Sequence, residues 1–328
     1  MSNNSIIYLK IFGTTVVITS PTEISNWIKY DYHSYLTFSS REPELVFDLF
    51  AKPGDTSPYN NLIAKGYHKD YIIYEKGNLR VIDFFSEGLS IFDKKTKKTE
   101  IYCQDLDYLY EIFYLAFESL VGESLEKKGF TRIHCLALEK DGRANILMLP
   151  PGGGKTTLAL KFLEHPTIKV LTEDILLFKK GKFYGLSFRW GVRQQSSEFA
   201  PTRLMIRRNE HNKHLIDTAN LKLASKATYG KIIVGIRQLN DACAIKPASR
   251  LFVFCRMFKP MVLGLELQQS LAYFLLGNLK DFILKSKLVL KRLESIIKIS
   301  FHSQGYEVFL GNNIEKNYEI LTKFLNEN

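Results

Sequence analysis

Residues Pro150-Pro151-Gly152-Gly153-Gly154-Lys155-Thr156-Thr157 join three successive glycines to a lysine and two hydroxyls. Glycines let the backbone curl with its N–H groups inward and approach an anion with no Cβ atoms in the way. A helix after such a loop adds the positive end of its dipole, and Leu158, Leu160, Phe162 and Leu163 supply an apolar face for one. In the pattern GxxxxGK[ST] the lysine reaches the β/γ oxygens of a nucleoside triphosphate and the next hydroxyl ligates Mg²⁺. Gly152, Gly153, Gly154, Lys155, Thr156 and Thr157 are therefore the candidate nucleotide-binding residues, and Thr156 is a candidate metal ligand. The first glycine of the pattern falls on Leu149, so the start of the loop is altered.

A nucleotide site also needs an acid near its metal, supplied in such folds by the end of a neighbouring strand. Glu173 and Asp174 follow the apolar run Val170-Leu171 about one helix after the loop and precede Ile175-Leu176-Leu177-Phe178. Adjacent carboxylates at a strand end point differently, so one can hold Mg²⁺, directly or through water, while the other accepts a proton. His134 lies among apolar neighbours in Ile133-His134-Cys135-Leu136. By spacing alone it reads as a hydrogen-bonded core residue.

The elements that must position these groups are legible in the pattern. Arg132–Leu138 reads as one strand, Asp141-Gly142 as a turn and Asn145–Leu149 as the strand leading into the loop. A helix to about Glu164 follows, then a strand at Lys169–Leu171 and a hairpin of Ile175–Phe178 with Phe183–Leu186 about Lys180-Gly181. Strand, loop, helix, strand is the α/β arrangement that brings phosphates to a helix N-terminus. Lys231–Ile236 and Arg250–Phe254 read as strands, and Leu263–Ile299 as helix broken near Gly277-Asn278. The chain ends on a strand, Tyr306–Leu310, and a helix, Ile314–Leu325.

Before all this, residues 5 to 103 read as short β segments: Ile6–Phe12, Thr14–Thr19, Leu45–Phe50, Tyr71–Tyr74, Leu79–Phe85, Leu89–Phe92 and Glu100–Cys103. A helix interrupts them at Thr22–Lys29. From Asp105 to Lys128 apolar residues recur at helical spacing and Gly129 supplies the stop. The expected organisation is a mostly β module at 1–104, a connecting helix at 105–129 and a catalytic domain at 130–328.

The 328 residues are 45% hydrophobic and 13% aromatic, too apolar for a disordered chain. No apolar run reaches the roughly 18 residues that span a bilayer, and the start lacks a signal-peptide pattern. The expected location is the cytoplasm, with no transmembrane segment. Cys103, Cys135, Cys243 and Cys255 form no CxxC pair, fall in apolar stretches and read as buried thiols in strands. A net charge of +11 suits nucleic acid, an anionic membrane surface or an acidic substrate without choosing among them. Lys94–Lys98 falls between two strand-like runs and reads as a solvated hairpin tip.

The order His134, Pro151-Gly152-Gly153-Gly154-Lys155-Thr156-Thr157-Leu158-Ala159-Leu160, Leu171-Thr172-Glu173-Asp174 resembles the HPr kinase/phosphorylase-like family, relatives of phosphoenolpyruvate carboxykinase. There a histidine about fifteen residues before the loop and an acidic pair about eighteen residues after the lysine complete the active site, offsets nearly matched here. The match covers residues 134 to 178; 1 to 128 lie outside it.

The resemblance implies a P-loop kinase domain of α/β class behind a mostly β N-terminal module, with ATP and Mg²⁺ as cofactors. It implies transfer of the γ-phosphoryl group to a hydroxyl, in this family a protein serine. It also implies proton transfer by Glu173, Mg²⁺ or water coordination by Asp174, and support of the reacting phosphoryl region by His134. Lys155 offsets charge on the moving group. The family usually carries two aspartates where this chain has Glu173-Asp174.

Arg189 and Arg193, flanking Trp190-Gly191, are candidates to face the acceptor. The expected partners are a nucleotide and a protein, peptide or small-molecule hydroxyl; nucleic acid is not expected, and related kinases often form homo-oligomers. The competing functions are a nucleotide-binding regulator or ATPase, and a catalytically degenerate binding module of the same fold.

Overall fold

The computed structural model describes residues 4–39, 42–150, 152–186, 188, 190–192, 201–206, 212–216, 221–258, 261 and 279–327. The chain is mixed α/β, with six α-helices among the described residues. It divides into two compact units, Met1–Leu125 with Gly191–Ala219, and Glu126–Trp190 with Asn220–Asn328. The helix expected as a separate connector thus groups with the first unit through Leu125, and residues 191–219, expected in the catalytic domain, group there too.

In the first unit β1 (Asn4–Ile11) and β2 (Thr14–Pro21) form a hairpin, followed by α1 (Thr22–Asp31), the two-residue β3 (Leu36–Thr37) and β4 (Leu45–Phe50). A meander of β5 (Ala64–His68), β6 (Tyr71–Lys76), β7 (Leu79–Asp83), β8 (Gly88–Asp93) and β9 (Lys98–Cys103) completes a nine-stranded sheet. Its order is β3-β1-β2-β4-β9-β8-β7-β6-β5, parallel only at β2/β4 and β4/β9. Burial alternates along β4, so every second side chain enters the core. The long helix α2 (Leu106–Lys127) buries Leu109, Phe113 and Phe117, and Phe47 of β4 meets both rings. The strands at 36–37 and 64–68 had no sequence signal: the first is two residues long, and Ala64–His68 holds one glycine and no buried side chain.

The second unit begins with β10 (Thr131–His134), β11 (Leu136–Lys140) and β12 (Arg143–Met148), then α3 (Lys155–Leu163), β13 (Lys169–Thr172), β14 (Ile175–Lys179) and β15 (Lys182–Leu186). Three short strands, β16 (Trp190–Val192), β17 (Pro201–Met205) and β18 (Lys213–Ile216), make a separate sheet, which from Gly191 on groups with the first unit. The chain continues through β19 (Lys226–Arg237), β20 (Ala244–Pro247), α4 (Arg250–Phe258), α5 (Leu279–His302), β21 (Gln304–Leu310) and α6 (Ile314–Asn326). The main sheet runs β10-β14-β15-β19-β12-β11-β13, with β21 on β19 and β20 on β21.

Three readings of the sequence are corrected here. Arg250–Phe254 is helical, not a strand. Val253 and Met257 face the core one turn apart, and the Ser249 hydroxyl accepts the Phe252 N–H at 3.2 Å. A short apolar run is ambiguous between the two states, and the serine before it was the cap signal that decided it.

Residues 132–138 are two strands broken at Cys135, because the chain there leaves β14 for β12 and β13. The cysteines also differ from one another. Cys103 and Cys135 are buried, Cys243 is half-buried ahead of β20, and Cys255 is exposed because it lies on the outer face of α4. Of the helix expected at 263–299, the part from Leu279 is described, and it runs on to His302.

Candidate functional site

β12 is buried from Ala144 to Met148 and, Asn145 apart, apolar there, as suits a strand flanked on both sides. At its end the backbone turns through Gly152 (φ +73°) and Gly154 (φ +91°), conformations that L side chains rarely adopt. Gly153 is required for space instead: a Cβ there would lie 2.8 Å from the Pro150 carbonyl oxygen, which accepts its own N–H at 2.9 Å. Gly154 is the N-cap of α3 and gives no side-chain cap, so the first N–H groups of the helix keep their capacity for an outside acceptor. A Cβ at Gly152 or Gly154 would meet nothing within 4 Å, so the space above the loop is open.

The altered start of the loop has a packing reason. Leu149 is buried, and a Cβ added to Gly235 of β19 would come within 1.9 Å of its Cδ2. The leucine that replaces the motif's first glycine therefore occupies a notch kept open by a glycine on the neighbouring strand. No local pattern identified Gly235 as its partner. The Leu149 carbonyl in turn accepts the Lys155 ammonium at 2.9 Å, folding the lysine over its own loop.

β13 is antiparallel to β11, and so is β12, so β12 and β13 run the same way and both end on the side of the loop. The Thr156 hydroxyl, in the first turn of α3, donates to the Glu173 carboxylate at 2.8 Å. Asp174 turns elsewhere: its Oδ1 lies 2.7 Å from His134 Nδ1. An ionised carboxylate only accepts, so that imidazole nitrogen carries the hydrogen. The Asp174 carbonyl also accepts the Cys135 N–H at 2.9 Å.

The breaks at Cys135 and at Glu173-Asp174 are one feature, the corner where two pairs of strands exchange partners. His134 is there only half-buried, and Asp174 has a side chain 55% exposed. The reading of His134 as a plain core residue overlooked this corner.

Gly152, Gly153, Gly154, Lys155, Thr156, Glu173, Asp174 and His134 thus gather at one end of the second unit's sheet. Thr157 is exposed on the first turn of α3. Arg189 and Arg193 lie outside the described residues. Among the described residues no three His, Cys, Asp or Glu side chains converge on a metal position, and no helix is long and apolar enough to cross a membrane. No protein-family model matches the sequence, and no characterised protein is significantly similar to it.

Proposed function

We propose that the second unit is an ATP-dependent kinase of the HPr kinase/phosphorylase-like type, transferring the γ-phosphoryl group to a hydroxyl on a protein or peptide. The observation that carries the proposal is the 2.8 Å hydrogen bond between Thr156 and Glu173. It brings the hydroxyl after the loop lysine against a carboxylate from a strand end seventeen positions on. Two hard oxygen ligands are a fitting share for Mg²⁺, which usually takes one or two carboxylates and completes its shell with phosphate oxygens and water. The open space above Gly152 and Gly154 and the uncapped start of α3 fit the phosphates themselves.

In this reading Gly152 to Thr157 hold the polyphosphate, and Thr156 and Glu173 hold the magnesium. The bound metal supplies positive charge against the transferring group. Lys155 leaves the Leu149 carbonyl for a phosphate oxygen, exchanging a neutral acceptor for a charged one. Asp174, exposed and oriented by His134, is the carboxylate suited to accept the proton of the attacking hydroxyl. That division reverses the roles the family resemblance implies for Glu173 and Asp174, and it rests on which acid bonds to Thr156.

The test is incubation with γ-labelled ATP, Mg²⁺ and serine- or threonine-containing peptides, comparing the wild type with Lys155→Ala, Glu173→Gln and Asp174→Asn. Acceptor labelling abolished in Lys155→Ala supports the kinase. Free phosphate without labelled acceptor points to an ATPase or a nucleotide-driven regulator, and nucleotide binding with neither product to a degenerate binding module. No binding at millimolar ATP sinks the proposal.

A further inference from the structure

The opposite end of β12 carries a second polar cavity, of about 410 Å³, that the phosphotransfer site does not use. Its walls come from the β11–β12 turn, the first half of β19, the end of α5 and the end of α6. Lys140 and Arg143 sit directly opposite each other across the β11–β12 pair, and Lys231 reaches the cavity from β19. Like charges directly opposite in a sheet are destabilising. Lys231 is a third cation among them: burial first, and the charge of Lys140 next, hold its pKa below the ordinary lysine value, with Glu327 opposing the shift and Arg143 adding to it.

The same unit shows what offset cations look like. Arg292 donates to both oxygens of the buried Glu126 carboxylate at 2.7 and 2.9 Å, and Arg132 donates to it at 3.0 Å. The cavity has no buried acid of that kind: against its three cations stand two carboxylates, Asp141 and Glu327, both on exposed residues. Asp141 is 3.5 Å from Lys140 with a side chain 78% exposed, and Lys231 donates to the backbone carbonyls of Phe324 and Glu327, not to a carboxylate. Asn145 is only 6% exposed, and its Oδ1 accepts the Lys231 N–H at 3.4 Å. Among the described residues its amide nitrogen has no hydrogen-bond partner, although it lines the cavity.

The last wall is aromatic: Tyr229 stacks on His302 with ring centroids 4.9 Å apart and planes 21° from parallel. Lys140, Arg143, Asn145 and Lys231 bring donors from four side chains, and a phosphate group, with three strong acceptor oxygens and close to twice a carboxylate's charge, uses them more fully than a carboxylate does. We propose that this cavity is a binding site for a small phosphomonoester whose apolar or planar body rests against Tyr229, separate from the loop at Gly152–Thr157. The proposal stands whether or not that loop binds nucleotide.

Phenyl phosphate is a suitable probe, titrated calorimetrically against the full chain. The Lys155→Ala background removes the loop lysine, so that binding there is not mistaken for binding at the cavity. The expected result is that phenyl phosphate binds wild type and Lys155→Ala with similar affinity. Adding Arg143→Glu, at an exposed position where refolding is not at risk, then weakens binding about tenfold or more, and Lys140→Glu does the same. Loss of all binding in Lys155→Ala alone, or indifference to both charge reversals, overturns the site. Benzoate binding as tightly as phenyl phosphate overturns its assignment to phosphomonoesters.

Discussion

β12 has a polar site at each end, and the two ends handle charge in opposite ways. Where the strand leaves the sheet, the lysine, the first hydroxyl and both acids of the site have partners supplied by the chain itself. Thr156 bonds to Glu173, Asp174 to His134 and Lys155 to the Leu149 carbonyl. Where it enters, Lys140, Arg143 and Lys231 crowd together, and Asn145 keeps a donor without a partner among the described residues. A site that holds its own geometry through reciprocal bonds is set up for chemistry, since orientation is fixed before anything binds. Three cations faced only by two exposed acids keep positive charge for an anion from outside.

The comparison breaks most sharply at Lys155. Lys155→Ala should lower phosphoryl transfer by about a hundred- to a thousand-fold, the usual effect of removing one group that stabilises developing charge, while leaving phenyl phosphate binding unchanged. Loss of both would show that the two ends are one site.

Next in size, Asp174→Asn should depress the rate of transfer at saturating nucleotide by about a hundred-fold, as loss of a general base does. Glu173→Gln should mainly raise the Mg²⁺ concentration needed for half-maximal activity. The reverse pattern would return the base to Glu173. His134→Asn should fall between Asp174→Asn and wild type, with an altered pH–rate profile, because it orients the aspartate.

A smaller effect is structural. Gly235→Ala should destabilise the protein by about 1–3 kcal/mol through overpacking against Leu149. In a double-mutant cycle with Leu149→Ala the two changes should be non-additive by at least about 0.5 kcal/mol. Additive losses, measured by denaturant unfolding, would separate the leucine from the glycine it faces.

The smallest expected effect lies at the turn after α3. His165 Nδ1 accepts the N–H groups of Thr167 and Ile168 at 3.2 and 3.0 Å, which requires that nitrogen to be unprotonated. Burial, and then the charge of Lys140, lower its pKa below 6.5. A histidine depressed on folding contributes stability that is complete above pH 6.5 and is lost as pH falls from there through its folded value. The loss should be under about 1 kcal/mol for this half-exposed turn. Thermal unfolding at pH 7.5 and 5 should show a smaller difference in His165→Asn, whose amide oxygen accepts at either pH.

Much of this was legible in one dimension. Three glycines, a lysine and two hydroxyls between an apolar strand and an apolar helix specify a tightly curled backbone, and within it Gly152 and Gly154 take the positive φ that glycine adopts most readily. Asp141-Gly142 and Lys180-Gly181 specified hairpin turns for the same reason, and both pairs have positive φ. Period-two burial along β1, β2 and β4 followed from alternating side chains.

What the sequence left open depended on partners distant in the chain. The segment 132–138 has no glycine, proline or other turn residue, so nothing local marked the break at Cys135, which exists because two different strands claim its halves. Only that exchange brings His134 to Asp174, and only the shared direction of β12 and β13 brings Glu173 to Thr156. Leu149 looked like a defect in a motif until Gly235 came to lie beneath it. Local residue types decided which backbone turns the chain could make and which groups could do chemistry. Tertiary pairing decided which acid faces the loop, which faces the histidine, and which cations gather at the far end of β12.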